Sequence, residues 1–378
     1  MKLENENSVC YIGRVKEIKP IEKADKIELA IVNGWSSIVP KNNLKVDDLV
    51  LCITTDAVIT QKFGEKHGIL TYLRKGNRVR TVKLRGVYSD CIVIPIKDLY
   101  LDMHLQFEGV DLMDKLKIFK YEEPEKTIIL PGGRRMIQKD NPNFDKYYKF
   151  PNIKNVPDLF TEEDEVVATR KYHGSNARYG IVKKASLSFW DKIKKFFKLS
   201  DKWDDYEFIY GSHNVIKGSD SFGYYATDIW KEIEDRYDIK EKLWNFVKSR
   251  KIEDLGAGII LYGEIYGPGV QGDHFTYNCK NKELILFDIQ LDKEYLDRAT
   301  FVEFSKSIEL PHTVRLYKGK YDVHAIMNHV LNQFIPNTKT PHEGVVVAHV
   351  SGDRKKIAKI INPDYLIFGE KHLVSENH

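Results

Sequence analysis

From Val9 to about Leu99, short apolar and β-branched runs alternate with turn residues: Tyr11-Ile12, Ile27 to Val32, Ser36 to Val39, Leu49 to Thr54, Arg78 to Leu84 and Cys91 to Pro95. That spacing predicts the strands of a small β-barrel or sandwich. The alternation breaks between Arg80 and Val82, so the Arg78 to Leu84 run requires a bulge or a change of face. Between Tyr121 and Phe160 periodic apolar positions thin out, while Pro124, Pro131, Pro142, Pro151, Pro157 and the Gly132-Gly133 pair accumulate. This stretch reads as a junction. Beyond it the pattern is mixed, with strands predicted over Glu165 to Ala168, Arg178 to Val182, Gly258 to Ile265, Leu284 to Ile289 and Gly344 to His349. Helices are predicted over Trp230 to Val247, Thr300 to Ile308 and Val323 to Phe334. The organisation expected is α+β: a barrel domain over residues 1–120, a junction over 121–160 and a second domain over 161–378. Ser188 to Leu199 places Phe189, Trp190, Ile193, Phe196 and Phe197 on one helical face and lysines on the other. A helix docked on the core is the commoner outcome of that pattern than one lying on a membrane.

At 378 residues the chain has length for about two domains. Lysine plus arginine is 59 against 55 aspartate plus glutamate, and a net charge of +4 excludes a uniformly basic nucleic-acid coat. Any such surface must come from local clustering, and one segment qualifies: Lys62, Lys66, Arg74, Lys75, Arg78, Arg80, Lys83 and Arg85 face only Glu65. Arg74, Arg78, Arg80, Lys83 and Arg85 are the candidate contacts to nucleic-acid phosphates. The alternative is an edge strand guarded by charge against pairing. Hydrophobic residues at 42% and aromatics at 12% exclude a disordered chain, and no apolar run approaches the ~20 residues that span a bilayer. The start, MKLENENSVC, lacks a secretory profile, and Cys10, Cys52, Cys91 and Cys279 include no CxxC pair. An intracellular, cytoplasmic monomer is expected, without membrane partner, disulfide framework or structural zinc.

In the barrel region Ile12-Gly13-Arg14-Val15, Ala24-Asp25-Lys26-Ile27-Glu28 and Lys83-Leu84-Arg85-Gly86-Val87 resemble tRNA-binding-type OB modules. Such barrels commonly present a strand face and flanking loops to oligonucleotides. In the second domain Lys171-Tyr172-His173-Gly174 follows a predicted strand, and a glycine three residues after a lysine lets the backbone approach a ligand beside an exposed amine. Alone this signal is weak. A lysine near a glycine is ordinarily a surface residue, Glu264 a strand-end carboxylate, Phe287 a core aromatic and Glu343 a flanking charge. In order, however, that motif, Tyr262-Gly263-Glu264, Phe287-Asp288-Ile289, Glu343-Gly344-Val345-Val346-Val347 and Ala358-Lys359-Ile360 resemble the covalent nucleotidyltransferases, the superfamily of polynucleotide ligases and mRNA capping enzymes. The strings HGSN, GEIYGPGVQ, HEGVVV and KKIAKIINPDYL behind an OB module are similar to those of the Deinococcus-type RNA ligases.

That resemblance implies an OB-type β-barrel followed by an adenylylation domain of antiparallel sheets with flanking helices. It implies ATP-dependent sealing of 3′-OH/5′-phosphate breaks in duplex RNA through a lysyl-AMP intermediate and an adenylylated 5′ end, with Mg²⁺ or Mn²⁺. Lys171 would be the nucleophile and Lys359 a contact to the α-phosphate. Glu264 would accept from a ribose hydroxyl, Phe287 would stack on adenine, and Thr169, Arg170 and Asn176 would border the nucleotide. Glu343, Glu264 and His173 would serve the metal. Attack needs an unprotonated amine, whereas a free lysine titrates near about 10.4, so Lys359, Lys356 and a metal ion are expected to push Lys171 down. Several positions depart from the family pattern. His173 stands where Asp is common, Ile357 where a second lysine usually lies, His213 where many relatives carry a phosphate-binding Arg, and Arg170 where Glu is common. Lys356 replaces the lysine missing at Ile357 only if its strand bulges.

Two alternatives stand beside this reading. A DNA ligase or capping guanylyltransferase shares the lysine chemistry but usually carries its OB domain after the core. A non-catalytic RNA-binding protein on a degenerate ligase fold is the other, motivated by His173, Ile357 and His213. No P-loop or GxGxxG string occurs, so nucleotide binding rests on the lysine pocket.

Overall fold

The computed structural model describes residues 3–74, 76–121, 141–186, 201, 203–217, 228–251, 254–270 and 277–375. The amphipathic stretch over 188–199, Lys75 and the first part of the 121–160 junction lie outside them. The N-terminal sheet runs in the order Cys91–Pro95, Leu49–Thr54, Cys10–Pro20, Ile27–Val32, Trp35–Pro40. Its central strand serves two partners, Cys10 to Arg14 pairing with Leu49 to Ile53 and Val15 to Pro20 with Glu28 to Val32, and the register shifts between Val15 and Glu17. An irregularity of that kind bends a strand and sharpens its twist. The sheet therefore curls until Trp35–Pro40 contacts Cys91–Pro95, nearly closing a barrel of the OB type. Inside it Tyr11, Val15, Ala30, Val32 and Cys52 form one buried cluster, while Cys10, Ile12, Leu51 and Ile53 face the other way and pack beneath residues such as Val79, Leu112 and Ile118.

The Arg78 to Leu84 run divides. Arg78–Val79 joins a small sheet with Leu73–Arg74, Ala57–Val58 and Phe119–Lys120, whereas Val82–Leu84 forms a hairpin with Val87–Ser89. The break in alternation is thus a change of sheet rather than a bulge in one strand.

Beyond the barrel stand two antiparallel sheets. One has the order Arg315–Lys320, Glu165–Lys171, Gly344–His349, Ile357–Ile361, and the other Ile216–Lys217, Tyr206–Gly211, Ser175–Lys183, Gly258–Tyr266, Glu283–Leu291, Glu294–Tyr295. Helices Ile229–Tyr237, Ile239–Lys248 and Arg298–Ser307 cover one face of the larger sheet, where Ala177, Tyr179, Ile181 and Leu261 are fully buried. The helix predicted over Trp230 to Val247 is two helices, because Asp238 takes a left-handed conformation (φ 52°) between them. Ile233, Ile239, Leu243 and Val247 nevertheless share one core, which is why the periodicity survives the break. The helix predicted over Val323 to Phe334 extends only over Val323–Met327. Among the described residues no helix is long and apolar enough to cross a membrane.

Residues 141–160 run along the second unit and then meet the barrel. Phe144 packs with Val182, Ile260 and Tyr262. Farther on, the buried Asn155 accepts a hydrogen bond from Trp35 Nε1 at 2.7 Å and donates to the carbonyls of Glu6 (2.8 Å) and Ser8 (3.1 Å). Lys154 pairs with the buried Asp90, and the Tyr88 hydroxyl donates to Asp364 at 2.6 Å. Polar contacts therefore fix the barrel against one edge of the second unit.

Candidate active site

Lys171 is the last residue of its strand, and the Tyr172-His173-Gly174 turn carries the chain from the smaller sheet into the larger. A Cβ on Gly174 would lie 2.1 Å from the Ile265 carbonyl oxygen, so the turn closes only because that residue has no side chain. The close approach brings the Gly174 N–H to the carboxylate of Glu264, which lies opposite Asn176 in the sheet register. Gly344 lies opposite Lys171 in the smaller sheet, and the preceding Glu343 accepts a hydrogen bond from Lys171 Nζ at 2.7 Å. Gly344 sits at φ 152°, and a Cβ there would fall 2.1 Å from the Ile360 carbonyl oxygen. Two tight backbone approaches thus bring one lysine and two glutamates together from different sheets.

The charges depart from the sequence expectation. Burial opposes the charge of Lys171, but the Glu343 and Glu264 carboxylates outweigh it, and the amine is held above its ordinary value. Lys359 is the lysine that is depressed: burial, reinforced by Lys120 and Lys171, pushes it down to about 8. Burial raises Glu264 to about 8 against the pull of Lys171, with Glu343 adding repulsion. Glu343 Oε2 and Asn176 Oδ1 are buried without a hydrogen-bond partner among the described residues. Such orphaned oxygens are costly unless a ligand satisfies them.

Two cavities meet at Lys171. The larger, about 990 Å³, lies between the sheets and is lined by Thr169, Arg170, Lys171, Asn176, Glu264 and Phe287 among others. The smaller, about 180 Å³, lies between barrel and second unit, where Lys171, Glu343 and Lys359 face Asp56, Asp90 and Lys120. The structure therefore gathers most of the candidates around Lys171, and it sets Lys356 and His213 apart.

Lys356 is a correction. The register from Gly344↔Ile361 to Ala348↔Ile357 is continuous, so no bulge turns Lys356 toward the site. It pairs instead with Asp164 at 2.5 Å, just ahead of the first residue of the strand that Lys171 ends. At about 3.3 Å per residue that is roughly 20 Å of strand, far too distant to depress the Lys171 amine. Ile357 lines the large cavity, so the position of the usual second lysine is apolar here. His213 occupies the turn after Tyr206–Gly211 and lines neither cavity. His173 donates its backbone N–H to the Tyr277 hydroxyl at 2.6 Å, and its ring lies 5.7 Å from that of Tyr365.

The basic run of the barrel forms no single stripe. Arg78 pairs with Asp56 and stacks on Tyr121, Lys83 donates to the Tyr88 hydroxyl at 2.9 Å, and Arg85 donates to the Lys23 carbonyl. Arg74 lies opposite Arg78 in the small sheet, and the buried Nε of Arg80 has no partner among the described residues.

Sequence reasoning missed several residues. Tyr365 is buried and Tyr277 partly buried beside Glu264 and Glu343, and desolvation raises both phenols. Tyr365 falls inside the KKIAKIINPDYL string without being singled out there, and no motif signals Tyr277. At the far end of the large cavity Arg354 pairs with the buried Asp288, to which the Tyr147 hydroxyl donates at 2.9 Å, so a hairpin of one sheet is tied to a strand of the other. Arg178, 1% exposed, donates to the carbonyls of Ser212, Phe144 and Asp145 and holds the 141–148 segment against the sheet. Among the described residues no three His, Cys, Asp or Glu side chains are grouped to hold a metal by themselves.

Comparison with known proteins agrees with this geometry. The family model described as RNA ligase matches residues 164–361, just over half of the chain, and one described as an OB-fold domain matches residues 9–96. No curated protein matches the sequence. Among solved structures, Naegleria gruberi RNA ligase with PPi shares 20% identity at a TM-score of 0.73, covering 97% of this chain and 99% of that one. Mutants of the same ligase solved with ATP and Mn and with AMP and Mn each give 21% identity and a TM-score of 0.71 over 97% of this chain and 99% of theirs. At such identity the likeness shows the fold, an OB barrel followed by a sheet-rich domain with few helices.

Proposed function

The chain belongs to the RNA ligase family, and from that membership we propose that it is an ATP-dependent ligase that seals 3′-OH/5′-phosphate breaks in duplex RNA through a lysyl-AMP intermediate on Lys171. The observation that carries the reading is the placement of Lys171 in the wall shared by both cavities, 2.7 Å from Glu343 and within the field of Glu264 and Lys359. In the first step the Nζ lone pair attacks the α-phosphorus of ATP. An N–P bond forms, the bond to the β-phosphate bridging oxygen breaks, and pyrophosphate leaves. The amine must lose a proton, and Glu343 Oε1 already accepts one of its N–H bonds. The AMP then passes to the RNA 5′-phosphate, and attack by the 3′-OH releases AMP and closes the phosphodiester.

The proposal gives each residue a role consistent with its place. Glu264, held by the Gly174 N–H, is placed to take a ribose hydroxyl. Phe287 lines the large cavity, where an aromatic side chain would serve as a wall for adenine. Lys359 adds positive charge beside Lys171 for the phosphate under attack. The orphaned Glu343 Oε2 and Asn176 Oδ1 are hard oxygen donors, and with Glu264 they fit Mg²⁺ or Mn²⁺ completed by phosphate oxygens and water. A divalent ion there would neutralise charge on the transferring phosphate. The Naegleria ligase that shares this fold was solved with ATP and Mn. A barrel ahead of the catalytic core supports a Deinococcus-type arrangement within the family.

The substrate is tested on nicked duplexes whose strands are RNA or DNA in every combination. Discrimination through the 2′-hydroxyl and A-form shape predicts that DNA at the 3′-OH terminus nearly stops sealing while adenylylated 5′ ends accumulate, and that DNA on the 5′-phosphate strand has a mild effect. Efficient joining of an all-DNA nick would contradict the RNA assignment.

A further inference from the structure

The edge strand Arg315–Lys320 carries cations that the proposed chemistry does not use. It pairs with the strand ending in Lys171, with Val167 opposite Lys318, Ala168 opposite Tyr317 and Thr169 opposite Arg315. In a regular strand residues three apart point to opposite faces. Here the register shifts between Ala168 and Thr169, leaving Leu316 without a partner, and Arg315 and Lys318 come to share the face of Thr169 and Val167. All four line the large cavity, whereas Ala168 belongs to the core behind the sheet and Leu316 and Tyr317 pack against it. Across the cavity mouth helix Arg298–Ser307 contributes Lys306. Arg315, Lys318 and Lys306 are exposed, and none forms an ion pair among the described residues. Of the helix carboxylates at the mouth, Asp297 is occupied in capping the first turn, and Glu303 is the other.

Position decides what this rim is for. Strand order places it on one side of the Lys171 strand and Lys359 on the other, two strands away. Anionic groups around Lys171, Glu343 and Lys359 therefore lie toward the barrel, and the edge strand flanks them about one strand spacing, ~5 Å, from Thr169. The barrel cations singled out in the sequence differ in kind, since Arg78 and Lys83 already engage Asp56 and the Tyr88 hydroxyl. Exposed, unpaired cations on one face, continuous with the proposed nucleophile, match a polyanionic strand.

We infer that Arg315, Lys318 and Lys306 form a binding rim for the phosphodiester backbone of the RNA being sealed, on the side of Lys171 away from the barrel. The inference rests on the RNA ligase reading and assigns where the strand runs. It is tested with the full chain and a fluorescent nicked RNA duplex, measuring affinity over a salt series for Arg315→Gln/Lys318→Gln and for the charge-matched Lys240→Gln/Lys248→Gln on helix Ile239–Lys248. Two lost phosphate contacts flatten the slope of log affinity against log salt by about two and lower low-salt affinity by about tenfold or more. The helix pair should keep the native slope, and Arg315→Lys/Lys318→Arg should restore it, which separates charge from fold. A native slope in Arg315→Gln/Lys318→Gln overturns the inference. So does an unchanged slope with a raised KM for ATP, which would give the rim to the triphosphate. Labelling of the native chain by ATP is followed in parallel, and its absence would instead count against the ligase reading.

Discussion

Lys171 is held charged in the ligand-free site by the carboxylates that its proposed chemistry would use. Glu343 keeps its proton on, with Glu264 adding to the pull once it ionises, while Lys359 has its own amine depressed to about 8. On the proposed chemistry, nucleotide and metal would reverse the local balance before attack, by occupying the carboxylates and adding positive charge. Glu264 gives this a thermodynamic signature. Its folded value of about 8 stands above the ordinary 4.5, so its contribution to stability is full below about 4.5 and is lost as pH rises toward 8, when the fold must bury a carboxylate. Glu264→Gln should leave the melting temperature of the ligand-free protein little changed at pH 5 and raise it by several degrees at pH 9. Equal shifts at both pH values would contradict the buried-carboxylate account. That Lys171, Glu264, Phe287 and Glu343 border the two cavities meeting at Lys171 is legible in the linear order of the motifs. Their charge states are not, because those depend on which carboxylates fold against the amine from other strands.

At the level of strands and helices, parity and register decide which residues meet. The sequence pattern finds Glu165 to Ala168, the first part of the Glu165–Lys171 strand, and passes over Arg315–Lys320, an edge strand with exposed Arg315, Lys318 and Lys320 and little apolar signal. It also reads one helix across Asp238, since the buried face stays in phase through the left-handed residue. Lys356 and Lys359 show the consequence for chemistry. They are three residues apart, yet one pairs with Asp164 near the start of the Lys171 strand and the other lies beside Lys171. Lys356→Ala should change stability little, as the loss of a partly exposed, solvent-screened ion pair does, and keep lysyl-AMP formation within a few-fold of native. Lys359→Ala should lower that rate by about a hundredfold or more, the scale of losing one positioned transition-state contact. Rates of label incorporation compare the two directly, and equal losses would contradict the register argument.

For the whole molecule, the barrel is part of the wall around Lys171. The smaller cavity takes residues from both units, and Lys120 contributes to the depression of Lys359. The strand spacing and OB-like strings of about the first 100 residues signal an OB module, but docking onto a distant cavity is carried by Asn155, Trp35 and Asp90, polar contacts between segments far apart in sequence. Asn155→Ala would strand the Trp35 N–H and two carbonyls, at about 2–3 kcal/mol. Limited proteolysis should then cut between barrel and second unit, and lysyl-AMP formation should slow in the same variant. Unchanged labelling in a visibly undocked barrel would confine it to RNA binding. The central claim, covalent transfer at Lys171, is met most directly by mass-spectrometric peptide mapping after incubation with ATP and Mn²⁺ without RNA. AMP should be found on the peptide carrying Lys171 and be missing from Lys171→Ala; an adduct on another lysine, or undiminished adenylylation of Lys171→Ala, would contradict the account.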